Sequence, residues 1–332
     1  MKKILNDPGD YVDEMLEGMV AAHPEIYAQP RRRVIARAGG VRAGKVGVVT
    51  GGGSGHLPVF AGYVGRGLLD AAAIGDVFAS PSAEEMATAM RLAHGGAGIL
   101  RLYGNYGGDV MNFDMAGELV ELEDDIEATT VLLADDIVSA PPEQAAKRRG
   151  VAGMVYAFKI AGAKAEQMAS LKDVTRVAQK AADACRSIGM ALTPCTVPQA
   201  GKPTFELGVD EMEMGMGIHG EPGIWRAASR PADAIVDEML ERLLADRPLA
   251  AGDRVSILVN SLGATPLEEL YIMYRRARAR LADVGVDIVL PLVGRYATSM
   301  EMTGASLTLC QLDDELEPLL RAPCHCGFWT VT

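Results

Sequence analysis

Apolar positions recur in two rhythms along this chain. Between residues 10 and 22, Val12, Met15, Leu16, Met19 and Val20 fall three and four apart, which predicts a short amphipathic helix ended by His23–Pro24. "VGVVT" (46–50) is a continuous β-branched run bounded by glycine and predicts a buried strand. Runs of the same kind follow at "GILRLY" (98–103), "TVLLAD" (130–135), "VSILVN" (255–260) and "VDIVLPLVG" (286–294). Helical stripes lie among them: Met168, Leu171, Val174, Ala178, Ala181 and Cys185 make one, and Leu267, Leu270, Tyr274, Ala277 and Leu281 another. Buried strands alternating with helices predict an α/β fold with largely parallel or mixed sheets and flanking helices.

Residues 186–232 break this rhythm with Gly- and Pro-rich stretches and short strands, after which "ASRPADAIVDEML" restarts a helix with Ser229 as its expected cap and Pro231 in its first turn. The expected division is into two α/β domains, 1–185 and 186–332, with the transition near 183–195. A length of 332 residues suits two such domains better than one core.

Composition narrows the function classes. Hydrophobic residues make up 49% and charged residues 23%, as in a globular protein, and the net charge of −12 argues against a nucleic-acid partner. No apolar run is long enough to predict a membrane span, and "MKKILNDPGDYVDEML" lacks the apolar core of a signal peptide, so a cytoplasmic location is expected. Five cysteines, an odd number, fit a reducing compartment. Cys185, Cys195 and Cys310 read as small hydrophobes. Cys324–His325–Cys326 offers at most three ligands at poor spacing, so a plain C-terminal loop is expected there and no metal.

Three segments carry candidate chemistry. "TGGGSGHLP" (50–58) follows a strand, where ligands gather in open α/β sheets. It is neither a P-loop nor a dinucleotide fingerprint. Its glycines, among them Gly53 and Gly55, together with Ser54 are expected to present backbone N–H groups to an oxygen-rich ligand. In "LYGNYGGDVMNF" (102–113), Asp109 follows Gly107–Gly108 and reads either as a reactive carboxylate or as a helix cap. In "GMGIHGEPG" (215–223), His219 stands in a bed of glycine beside Glu221, with general base, metal ligand and nucleophile all open. No nucleotide signature occurs, since "AGKVG" (43–47) and "AGKPT" (200–204) are only fragments of one.

Taken together, "GGGSGH", "NYGGDVMNF", "RRGVAG", "CTVPQAGKP", "GIHGEPG", "LVNSLGATPLEELY" and "TSMEMTGASLTL" resemble, in order and nearly end to end, the substrate-binding K subunit of the dihydroxyacetone kinases. The resemblance implies a two-domain α/β homodimer working with a separate helical L subunit that holds ATP or ADP with Mg2+. In phosphotransferase-system versions a multiphosphoryl M protein also takes part. It implies that His219 attacks the substrate ketone to form a hemiaminal, that Asp109 is the base for the terminal hydroxyl, and that His56 assists. Gly53, Ser54, Gly55, Gly104, Gly107 and Gly108 make up the expected substrate-binding set.

Two positions depart from the family pattern: Leu57 replaces a glutamate and Gly104 a lysine. A less charged, roomier rim is expected, and with it a ketose larger than dihydroxyacetone, such as erythrulose. The same departures favour ATP used directly as the donor. The competing reading is a ketone-sensing paralogue that acts as a transcriptional co-activator, which would need the histidine but not Asp109. A lyase or isomerase using His219 with Asp109, and no partner chain, is a third.

Overall fold

The computed structural model describes residues 2–332. Helix α1 (Tyr11–Ala22) forms on the first apolar stripe, burying Val12, Leu16 and Met19. Strands β1 (Tyr27–Arg31) and β2 (Val34–Arg37) form an antiparallel pair on the edge of a six-stranded sheet. Its remaining strands, β3 (Gly47–Ser54), β4 (Ala71–Val77), β5 (Ile99–Gly104) and β6 (Ala128–Leu133), run parallel to one another. Helix α2 (Ala83–Ala93) connects β4 to β5, and its Ser82–Glu85 capping box is worth about 1 kcal/mol. Helix α3 (Gly107–Asp124) connects β5 to β6.

The strand order β1-β2-β4-β3-β5-β6 positions the site. The chain leaves β3 toward β4 on one side and comes back to β5 on the other, so the order reverses between β3 and β5. Ligand crevices form at such reversals, outside the carboxyl ends of the strands. The ladder joining β3 to β5 covers only Gly47 to Val49, although β3 continues to Ser54.

Helices α4 (Gly153–Glu166) and α5 (Leu171–Ala184) lead into a second sheet. Nearly every residue of α4 is buried, because it packs against β3, β5 and β6 on one side and strands of the second sheet on the other. Gly162 has no room for a side chain, since a Cβ there would sit 2.5 Å from the Leu68 Cα. The second sheet contains β7 (Cys185–Thr193), β8 (Glu211–Met214), β9 (Trp225–Ala228), β10 (Arg254–Ser261), β11 (Asp287–Ile288), β12 (Leu292–Gly294) and β13 (Thr303–Leu312). It is largely antiparallel: β10, β13, β7, β8 and β9 alternate in direction, and only β11 and β12 run parallel to β10. Helices α6 (Ala232–Asp246) and α7 (Leu267–Val284) flank it, and α8 (Leu316–Arg321) follows β13. The fold is thus α/β with one mainly parallel and one mixed sheet.

Three expectations about elements are corrected. The run 286–294 is two short strands, because Leu290 adopts φ 47° and Pro291 has no N–H to give a ladder. The stripe from Met168 to Cys185 overruns its helix at both ends: Met168 has φ 60°, and Cys185 opens β7 opposite Cys310. Pro231, not Ser229, occupies the N-cap of α6, and the Ser229 N–H donates to the Asp210 carbonyl instead.

The C-terminal segment is a small hairpin, β14 (Cys324–His325) with β15 (Thr330–Val331), and the His325 N–H donates to the Arg66 carbonyl. Cys324 and Cys326 are buried in the core and His325 is exposed, so the three side chains do not converge. Among the described residues no helix is long and apolar enough to cross a membrane.

Candidate active site

The segment "TGGGSGH" begins as a strand. Gly51, Gly52 and Gly53 lie inside β3, paired with β4, so their first use is close packing. A Cβ on Gly53 would sit 2.7 Å from the Ala79 nitrogen, one on Gly52 would overlap the Phe60 ring, and one on Gly51 would press on Phe113 at 3.2 Å. Ser54 ends the strand, and its carbonyl accepts the Phe78 N–H. Gly55 turns the chain with φ 101°, beyond the reach of ordinary side chains. The turn is fastened to the second half of the molecule: the Met300 N–H donates to the Gly55 carbonyl at 2.7 Å, and the Thr298 hydroxyl to that of Leu57 at 3.0 Å.

This anchoring delivers His56 to the reversal point. The ring is 2% exposed, stacked on Phe78 at 5.0 Å, with Nδ1 2.7 Å from the Thr298 carbonyl. Burial, and then the neighbouring His219, push its pKa down to about 3, so His56 is neutral. Its Nε2 lies 3.0 Å from Nε2 of His219, 163 residues later in the chain.

The glycines around His219 have a different task. Gly217 opens a turn in which Glu221 folds back under the histidine. A Cβ on Gly217 would collide with the Glu221 carboxylate and lie 2.8 Å from Arg149 Nη1. In that space Glu221 grips His219 twice, Oε1 lying 2.9 Å from Nδ1 and Oε2 accepting the backbone N–H at 2.9 Å. Burial would raise the Glu221 carboxyl, but the hydrogen bond and charge of His219 together with Arg149 overcome it and hold the group at about 2. The rings of Phe78 and Tyr106 meet the imidazole nearly at right angles, with centroids 5.2 and 4.9 Å away.

Hydrogen-bond bookkeeping assigns the protons. Thr298 O and Glu221 Oε1 only accept, so Nδ1 of both rings carries a proton. The Nε2 contact then needs a third, shared between the two rings.

Asp109 lies in the first turn of α3, where Tyr106 occupies the N-cap, so the helix-cap reading of Asp109 does not hold. Its carboxylate accepts the Ser80 hydroxyl, and the charge of His219 bears on it. Burial dominates and raises its pKa to about 6. Gly107 has open space around it, and Gly108 approaches Ser80. Gly104 is buried at the end of β5, where a Cβ would lie 3.2 Å from the Gly150 carbonyl and 3.3 Å from the Met154 sulfur. Met154 and Gly150 pack against Gly104, and Leu57 lines, with Ser54 and Gly55, a cavity of about 320 Å³ whose walls include none of His56, Asp109 or His219.

The structure therefore brings His56, Asp109 and His219 together with Gly53, Ser54 and Gly55 at one strand reversal. Sequence reading gave no role to Phe78, Ser80, Tyr106, Asp136, Arg149 or Thr298. Tyr106 falls in "NYGGDVMNF", Arg149 in "RRGVAG" and Thr298 in "TSMEMTGASLTL", so these three had been marked by position if not by role.

With this geometry in view, comparison with known proteins is direct. Residues 17–328 match the family model described as the Dak1 domain. The chain belongs to the Dak1 domain family. Within that family, it is 46% identical over 316 residues to the dihydroxyacetone-binding subunit DhaK of PTS-dependent dihydroxyacetone kinase 1 from Listeria innocua, covering 95% of each chain. It is 43% identical over 323 residues to the D-erythrulose kinase of Mycolicibacterium smegmatis, a match that spans 97% of this chain and 55% of that relative. Among solved Dak1-like structures, the dihydroxyacetone kinase operon co-activator Dha-DhaQ superposes with a TM-score of 0.87 at 31% identity, covering 96% of this chain and 97% of the other.

Proposed function

We propose that this chain is the ketose-binding, catalytic-base subunit of a ketose kinase assembled from separate chains. The observation that carries the reading is the pair of imidazoles meeting at 3.0 Å, with a buried, high-pKa carboxylate close enough for the charge of His219 to act on it. In this mechanism the proton shared between the rings shifts onto Nε2 of His56, which leaves Nε2 of His219 with the lone pair that attacks the ketone carbon. A C–N bond forms, the carbonyl π pair moves to oxygen, and that oxygen takes the proton from His56. The alkylated imidazole keeps its Nδ1 proton and positive charge against Glu221, and His56 is left neutral, so charge is conserved. The adduct selects ketones over polyols and presents a terminal hydroxyl to Asp109.

Asp109 then accepts the hydroxyl proton as the oxygen attacks the phosphoryl group, a contribution of roughly 10²- to 10⁴-fold. The nucleotide, ATP or ADP with Mg2+, belongs to a helical L-type partner, and a phosphocarrier would recharge it if the donor is relayed. The substrate is a small ketose, dihydroxyacetone or the four-carbon erythrulose, and the active form is a homodimer in the cytoplasm.

Calorimetric titration of the chain with dihydroxyacetone, D-erythrulose, L-erythrulose and glycerol, for wild type and His219→Ala, tests this. Binding of a ketose but not glycerol, lost in the variant, is expected; equal binding by the variant would sink the adduct. The likeness to the co-activator supports a second reading, a ketone sensor without kinase activity. Ser80 and Asp109, which sensing does not need, favour catalysis. If no sugar phosphate forms from any ketose when an L-type subunit and either phosphoryl donor are supplied, the sensor reading takes over.

A further inference from the structure

Behind His219 lies a row of charges of which the proposed chemistry uses only the last, Glu221. Asp136, just past β6, accepts from Arg149 through Nε at 3.0 Å and Nη2 at 2.7 Å. The backbone doubles this link, because the Asp136 N–H donates to the Arg149 carbonyl at 3.1 Å and the Arg149 N–H to the Ser139 hydroxyl at 3.0 Å. From this fixed position Arg149 Nη1 reaches to 3.8 Å from Glu221 Oε2, the oxygen that also accepts the His219 N–H. The other Glu221 oxygen faces His219 Nδ1 at 2.9 Å. The first two residues come from the segment between β6 and α4, the last two from the loop between β8 and β9, so the row bridges the two halves of the molecule.

We propose that Asp136, Arg149 and Glu221 are positioning residues that hold a proton on Nδ1 of His219 and so reserve its Nε2 for the substrate carbonyl. This rests on the His219 adduct proposed above. Which imidazole nitrogen is protonated is set by the partner of the other, and an acceptor-only carboxylate at Nδ1 permits one answer. Arg149 keeps Glu221 an acceptor by favouring its ionised form. Its double link to Asp136 stops the guanidinium from swinging away. Gly217 belongs to the same device, because a side chain there would occupy the position of the carboxylate.

The test pairs a spectroscopic readout with a binding one. In ¹⁵N-labelled full-length protein, imidazole proton–nitrogen correlations are recorded for wild type, Glu221→Gln and Glu221→Asp, and dihydroxyacetone affinity is measured for these and for His219→Ala. Wild type is expected to show His219 protonated at Nδ1. Glu221→Gln, whose amide can accept or donate, is expected to show mixed tautomers and about 10- to 100-fold weaker binding, the range over which partners that orient an imidazole act. Glu221→Asp, which keeps the charge, should recover part of both. An unchanged His219 tautomer in Glu221→Gln overturns the positioning role whatever the ketose does. So does wild-type affinity in Glu221→Gln when His219→Ala has lost binding. Mixed tautomers in Glu221→Gln with full binding by His219→Ala would support the charge row and overturn the adduct instead.

Discussion

Two stretches of this chain, 51–55 and 215–223, look alike in composition and behave in opposite ways. In the first, glycines sit inside a buried strand, where the rings of Phe60 and Phe113 and the Ala79 backbone close onto them. The histidine that follows, His56, is buried and neutral and leans on a backbone carbonyl. In the second, glycine clears space in an irregular loop so that a carboxylate and a guanidinium can stand behind His219, whose side chain is 24% exposed. One stretch uses missing side chains for packing; the other uses them to admit charge. The same residue type thus prepares two imidazoles for two tasks, and neither purpose is visible in the count of glycines.

This contrast is open to attack at several points. The largest effect belongs to Asp109, whose carboxylate feels the charge of His219: Asp109→Asn should cut sugar-phosphate formation with an L-type partner by roughly 10²- to 10⁴-fold while ketose binding in calorimetry persists. On the packing side, Gly52→Ala forces a methyl into the Phe60 ring and should cost about 1–3 kcal/mol, read as a lower midpoint in thermal or denaturant unfolding. On the charge side, Gly217→Ala should weaken ketose binding about 10-fold or more by displacing Glu221, with a smaller loss of unfolding midpoint than Gly52→Ala. If the two glycine variants lose stability and binding in equal proportion, the distinction between the stretches fails.

The smallest effect is one of pH. Asp109 titrates near 6 and works only as a carboxylate, so turnover should fall about tenfold per pH unit below 6. The sign for stability is opposite. Because burial raises this group from 3.8, the ionised form weighs against the fold, and its penalty grows as pH rises from about 4 to 6. An activity profile flat down to pH 5 would remove Asp109 from the role of base.

Much of the candidate site was readable because it is carried by local motifs. His56, Asp109 and His219 each stand in a short segment whose residue types limit what the chain can do there. The runs at 46–50, 98–103, 130–135 and 255–260 became strands within a few residues of their expected bounds, since continuous apolar character demands burial on both faces. The run at 286–294 failed at Leu290–Pro291, where backbone geometry overrode hydrophobicity. The parallel direction of β4, β5 and β6 follows from the helical crossovers α2 and α3, whereas β3 and β4 are joined by a loop holding only a single short turn at Ala61–Tyr63. The antiparallel order of β10, β13 and β7 does not follow in this way, because which strand a segment pairs with depends on residues far away in the chain.

The sequence by itself determined that the chain is α/β and marked His56, Asp109 and His219 as the candidate polar residues. Only the tertiary structure decided that the two imidazoles touch, that Thr298 and Glu221 settle where their protons lie, and that Arg149 and Asp136 stand behind the histidine of another loop. Hydrophobic periodicity says that a residue is buried, not what it meets. A proton on a ring nitrogen depends on the meeting: on a partner within 3 Å that the chain brings from 163 or 242 residues away.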